Sequence, residues 1–180
     1  MAAGAAVIAA AREPQTIRSV VLVDPFVRNV MPPWLAAAIF EPLLRGPWRA
    51  NVWRAFFKKA FPTRLPDDFE AEQARRDASL AERGRFAAFR RMAVASKIES
   101  ERRIADVTAP ALVLMGSRDS DFPDPGKEAR LVAELVRGTA VMIDGAGHYP
   151  QTELPDAVAA ALVPFLQSVD QTPGELGRAS

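Results

Sequence analysis

The chain of 180 residues contains no cysteine, which excludes disulfides and thiolate-based zinc sites. It contains one histidine, His148, so a histidine-rich metal site is impossible. Any chemistry that needs an imidazole must use that residue. No apolar run is long enough to span a bilayer, and no membrane partner is expected. The apolar start, Met1 to Ala11, lacks the basic flank of a secretory signal and runs straight into Arg12-Glu13-Pro14. It predicts a buried alanine-rich helix, and with it a cytoplasmic location. An excess of either charge is also missing, with 23 Lys/Arg against 22 Asp/Glu.

The two signs are nonetheless unevenly placed. From Arg45 to Arg103 there are 15 Lys/Arg and 8 Asp/Glu, which leaves 8 against 14 elsewhere. This predicts a separate helical segment set into a more acidic body. The pairs Arg75-Arg76, Arg90-Arg91 and Arg102-Arg103 alternate with Asp77, Glu82, Glu99 and Glu101. That pattern describes a solvated helical face, and no nucleic-acid motif or partner is expected.

Three short apolar runs predict buried strands: Ser19 to Asp24, Ala111 to Gly116 and Ala140 to Asp144. None alternates cleanly, which suits a parallel sheet covered on both faces. Helices are predicted over Ala2 to Arg12, Lys127 to Arg137 and Leu154 to Val169, with a kink or early end at Pro164. About 80 residues separate the first two strands, far more than one crossover needs. They predict helices over Pro33 to Leu44, Pro47 to Ala60, Asp67 to Ser79, Leu80 to Ala95 and Lys97 to Ile104. The expected division is a core of 1–29 and 105–170, an inserted helical segment of 30–104, and a loose polar tail of 171–180.

An open parallel sheet carries its functional loops at the carboxyl ends of its strands. After the second strand comes Gly116-Ser117-Arg118-Asp119, and after the third comes Gly145-Ala146-Gly147-His148. Adjacent parallel strands bring these loops to one edge, where Asp119 can hold His148 in one tautomer. That is the orienter and base of a nucleophilic triad. Asp121 is the main rival for the acid. Asp124, in Asp-Pro before a helix, predicts an N-cap, and Asp144 a structural role.

Strand–Gly-x-x-Asp, then strand–Gly-x-Gly-His-x-x-x-x-Glu-x-Pro and a closing helix, resembles the last third of the α/β-hydrolase fold. The resemblance implies an α/β protein: a three-stranded parallel remnant of an α/β-hydrolase sheet with an inserted helical cap. It implies Asp119 as triad acid and His148 as triad histidine, in catalysis without a cofactor or metal. The family's nucleophile sits in a Gly-x-Ser-x-Gly elbow just before the helix that Ala2 to Arg12 resembles, and this chain contains no such motif. On that alignment the nucleophile lies upstream, Met1 takes the oxyanion-hole position that follows it, and the chain is an N-terminally truncated hydrolase. The implied reaction of the parent is hydrolysis of an ester, or of a related acyl or C–C bond, in a small apolar substrate. An aspartate nucleophile, as in epoxide hydrolases and haloalkane dehalogenases, is the variant within the family. A non-catalytic fragment or pseudo-enzyme is the alternative outside it.

The substrate-pocket candidates are Phe26 and Val27, just past the first strand, with Trp34, Phe56 and Phe57 on the inserted helices. Trp48, Trp53 and Phe61 share those helices, and packing of the segment on itself competes with a pocket role for all of its aromatics. The first strand is expected to expose a bare apolar edge, so poor solubility is predicted for the isolated chain.

Overall fold

A computed structural model describes residues 2–171. The order is α1 (Ala2–Arg12), β1 (Val20–Val23), α2 (Pro33–Leu43), α3 (Arg49–Lys59), α4 (Phe69–Ala81), α5 (Arg85–Ala93), α6 (Ile98–Arg103), a 3-10 turn (Ile104–Asp106), β2 (Ala111–Gly116), α7 (Pro125–Leu135), β3 (Thr139–Ile143), α8 (Pro150–Glu153) and α9 (Pro155–Gln171). Residue 1 and the tail beyond 171, where an oxyanion-hole position and a loose tail were expected, lie outside the described residues. Among the described residues, no helix is long and apolar enough to cross a membrane.

The three strands form one parallel sheet in the order β1-β2-β3. Every residue of β2 is buried, because helices cover both faces of the central strand. Val113 and Met115 point into a cluster with Val7 and Ala10 of α1 and Ala129 and Val132 of α7. Leu112 and Leu114 point the other way, onto Ile143, Val158 and the flank of α9. This two-sided burial explains why β2 does not alternate, whereas β3, at the edge of the described sheet, was expected to be buried but exposes Thr139 and Met142. Among the described residues, the far edge of β1 carries no strand.

Five helices, α2 to α6, fill the interval between β1 and β2. The expected helix over Leu80 to Ala95 is cut back to α5, because Gly84 takes a left-handed conformation (φ 81°) as its cap. Exposed ion pairs such as Arg75–Glu72, Arg85–Glu82 and Arg103–Glu99 lace these helices, as the interleaved charges required. Asp124 does cap α7, accepting a hydrogen bond from the Lys127 N–H at 2.8 Å.

Helix α9 neither stops at Pro164 nor ends early; it continues to Gln171. Proline removes one N–H, and its ring crowds the carbonyl four residues back. That carbonyl belongs to Ala160, which is exposed like Pro164 itself, so water can satisfy it.

Two features lock the inserted helices onto the sheet. Glu153 is 1% exposed, and its carboxylate accepts three backbone N–H groups. They come from Thr63 (2.6 Å), Arg64 (2.9 Å) and Gly147 (2.7 Å). Gly147 is the second feature, since a Cβ there would collide with the Ala60 carbonyl and the Pro62 ring. Glu153→Gln turns one acceptor oxygen into a donor that faces N–H groups. It is expected to destabilise the chain by about 3 kcal/mol, read as a lower urea midpoint at constant slope. A loss of less than about 1 kcal/mol would show that the carboxylate does not hold this joint.

Candidate active site

The register of β2 on β3 places Gly116 beside Ile143. Both strands therefore end at one level, and their following loops meet there. Ser117 N–H donates to the Ile143 carbonyl at 3.0 Å, and Arg118 N–H to the Ala146 carbonyl at 2.8 Å. Ser117 Oγ accepts from Gly145 N–H at 2.8 Å and donates to Asp144 at 3.1 Å, so Asp144 is structural, as expected. A Cβ on Gly116 would strike the Ala146 and Gly147 backbone, so only glycine allows the loops to approach this closely.

Across this junction the His148 Nδ1–H donates to Asp119 Oδ2 at 2.8 Å. The Asp119 side chain is fully buried and that of His148 is 17% exposed. The other carboxylate oxygen, Oδ1, accepts the N–H of Asp121 at 2.9 Å, so the carboxylate plane is fixed from both ends. With the proton on Nδ1, the Nε2 lone pair is the free basic position. Asp121 lies 3.6 Å from the same Nδ1. At that distance it contributes charge without a hydrogen bond.

Burial works against a charge on the imidazole, but the hydrogen bond and negative charge of Asp119, joined by the charge of Asp121, outweigh it. The pKa of His148 lies above its ordinary 6.5. Burial also raises Asp121, against the pull of His148.

Asp24 is a residue that sequence reasoning passed over as the end of a strand. It is 4% exposed and has a positive φ of 41°, a conformation aspartate tolerates better than most residues. Its Oδ1 accepts the Gly116 N–H at 2.9 Å, and polar atoms of Asp24, Asp119 and His148 all lie within 4.8 Å of one another. The sequence signal available for it was the carboxylate itself, at the carboxyl end of a buried parallel strand.

A cavity of about 810 Å³ opens beside His148. Phe26, Phe56 and Phe57 line it, as expected, and so do Trp53, Phe89, Phe122 and Tyr149. Two expected pocket residues do not. Val27 is fully buried in the sheet-side core, because the chain turns inward after Phe26. Trp34, in the first turn of α2, faces solvent and is 72% exposed. The competing packing role also holds, since Phe57, Phe61 and Phe69 form a cluster closed by Tyr149.

The chain belongs to the alpha/beta hydrolase family, whose sequence model matches residues 2–161. No curated protein matches it. Similar solved structures include 2-hydroxy-6-oxo-6-phenylhexa-2,4-dienoate hydrolase from Rhodococcus sp. strain RHA1, at 15% identity and a TM-score of 0.72 over 93% of this chain and 61% of that one. A serine hydrolase from Cycloclasticus zankles has 17% identity and a TM-score of 0.70, over 95% of this chain and 62% of that one. A membrane phospholipase A described as a bacterial virulence factor has 20% identity and a TM-score of 0.63, over 94% and 55%. At these identities the likeness concerns the fold, and the chain spans little more than half the length of each.

Because His148 is the sole histidine, its ring resonances can be followed without assignment. Its NMR titration is expected to have a midpoint above 6.5. Asp119→Asn removes both the charge and the carboxylate acceptor, and should lower that midpoint by about one pH unit or more. An unmoved midpoint would separate the two residues.

Proposed function

We propose that this chain is the acid–base half of a serine-type acyl hydrolase, with His148 as general base and acid, Asp119 as its orienting acid, and the nucleophile supplied by polypeptide outside this sequence. The observation that carries the reading is the buried 2.8 Å hydrogen bond from His148 Nδ1 to Asp119 beside an apolar cavity. Helices α2 to α6 act as the cap over that cavity.

In this mechanism a serine hydroxyl attacks the substrate carbonyl while His148 Nε2 takes its proton. The Asp119 carboxylate stabilises the imidazolium as it forms. His148 then gives the proton to the departing alkoxide, and an acyl-enzyme is left. A water, deprotonated by the same nitrogen, hydrolyses it. The raised pKa of His148 suits a group that must accept a proton and return it near neutrality. Phe26, Trp53, Phe56, Phe57 and Phe89 favour an apolar acyl or alcohol group, so the substrate class is a small apolar ester or a related acyl or C–C bond. Neither acid–base role needs a cofactor.

A non-catalytic role is the second reading, favoured by the lack of a Gly-x-Ser-x-Gly motif anywhere in the sequence. Turnover of short p-nitrophenyl esters separates the two. The chain alone should show background rates. The chain extended through its upstream reading frame should turn over, and His148→Ala in that form should lose about 10⁴-fold or more in kcat. An inactive extended form would favour the non-catalytic reading. Activity that survives His148→Ala would overturn the assignment of the base.

A further inference from the structure

Asp24 is buried, charged by type and unused by the mechanism above. It approaches Asp119 from β1, the strand on the other side of β2. Its two oxygens have different fates. Oδ1 is occupied by the Gly116 N–H, while Oδ2 is buried with no donor among the described residues. An ionised carboxylate with a bare buried oxygen, next to a second carboxylate, is the least favourable state available to that side chain. A carboxylic acid is different, because the carboxyl groups of Asp24 and Asp119 approach within 4.8 Å and a proton between them gives the pair a hydrogen bond that two carboxylates lack.

We propose that Asp24 is a positioning residue for the acid–histidine pair: a neutral carboxylic acid whose Oδ2–H donates to the Asp119 carboxylate and holds it for His148. This rests on Asp119 and His148 being the acid–base pair. Asp119 would then sit at the centre of three donors: the Asp24 hydroxyl, the Asp121 N–H and the His148 Nδ1–H. The proton is shared within the cluster and nothing is transferred to substrate through Asp24. Burial pushes the Asp24 carboxyl up to about 8, against the Gly116 hydrogen bond and with the charge of Asp119. The charged groups that act on Asp24 are Asp119 and His148. Asp121 acts on His148, and Lys59 acts on Asp121. Arg28, four residues further along the chain, is committed to Glu128.

The test compares the wild type with Asp24→Asn, Asp24→Ala and Asp119→Asn, each read by the NMR titration of His148. Asparagine tolerates the left-handed backbone, keeps an oxygen for Gly116 and offers an N–H₂ to Asp119. If Asp24 is a neutral donor, Asp24→Asn leaves the His148 midpoint where it was. Asp24→Ala removes the donor, makes Asp119 more basic and raises the midpoint. If Asp24 were ionised, Asp24→Asn would remove a neighbouring negative charge and lower the midpoint by about one pH unit, which overturns the proposal.

Thermal melting gives a second readout. A group whose folded pKa lies near 8 against 3.8 when unfolded loses stability as the pH rises between those values. The melting temperature of Asp24→Asn should therefore exceed that of the wild type by a margin that grows from pH 4 to pH 8. A flat margin, or an Asp24→Asn chain that does not fold, also overturns the proposal. Should Asp119→Asn leave His148 unmoved, the acid–base pair itself fails, which distinguishes that outcome from a failure confined to Asp24.

Discussion

The parallel pairing of β2 with β3 brings two loops to one level, and the hydrogen bond between His148 and Asp119 exists only because of it. A shift of one residue would turn Leu114 and Met115 to the wrong faces and carry the aspartate away from the ring. The register is therefore fixed by burial on both faces of β2, where Val113 and Met115 meet α1 and α7, and Leu112 and Leu114 meet α9. The same apolar contacts that stabilise the sheet set the geometry of its polar edge.

That edge has little room. Gly116 lies against the Ala146 and Gly147 backbone, and Gly147 lies against Ala60 and Pro62 of the inserted segment. Backbone is stacked on backbone across three separate parts of the chain. The cost of bringing so many N–H groups out of water is met by a buried carboxylate, Glu153, which accepts three of them. His148 N–H adds a fourth tie, to the Ala60 carbonyl at 3.0 Å. The inserted helices are thus joined to the histidine loop at the backbone itself. The cavity wall formed by Phe56 and Phe57 is held in register with the imidazole by that joint.

Much of this was legible in the residues. Strand β2 has the predicted bounds, because its apolar run is closed by Pro110 and Gly116. Asp119 and His148 could be paired because small residues after two strands leave few geometries for the loops. Side-chain direction inside the inserted segment was not legible. Trp34 and Phe56 are both aromatic residues on helices, and only the packing of α2 and α3 decides that the first faces water and the second the cavity. Val27 and Phe26 are neighbours, yet the chain's turn after β1 sends one to the core and the other to the imidazole, with ring centroids 5.3 Å apart. Asp24 was missed for a related reason. A carboxylate ending a strand is usually solvated, and only the burial of β1 against β2 turns it inward.

The competition between Asp119 and Asp121 shows how the loop assigns its carboxylates. Both lie near the imidazole, and the spacing of residues alone does not separate them. The difference is that the Asp121 N–H itself donates to Asp119 Oδ1, so the backbone of one residue helps to hold the carboxylate of the other. Asp119 is thereby left with one oxygen for the ring, no exposure to solvent and no freedom to rotate. Asp121 keeps partial exposure, stands 3.6 Å away, and is pushed toward its neutral form by burial. Two carboxylates two residues apart are thus placed in different environments by one backbone hydrogen bond. Exchanging them would require the loop to unmake the contact that shapes it.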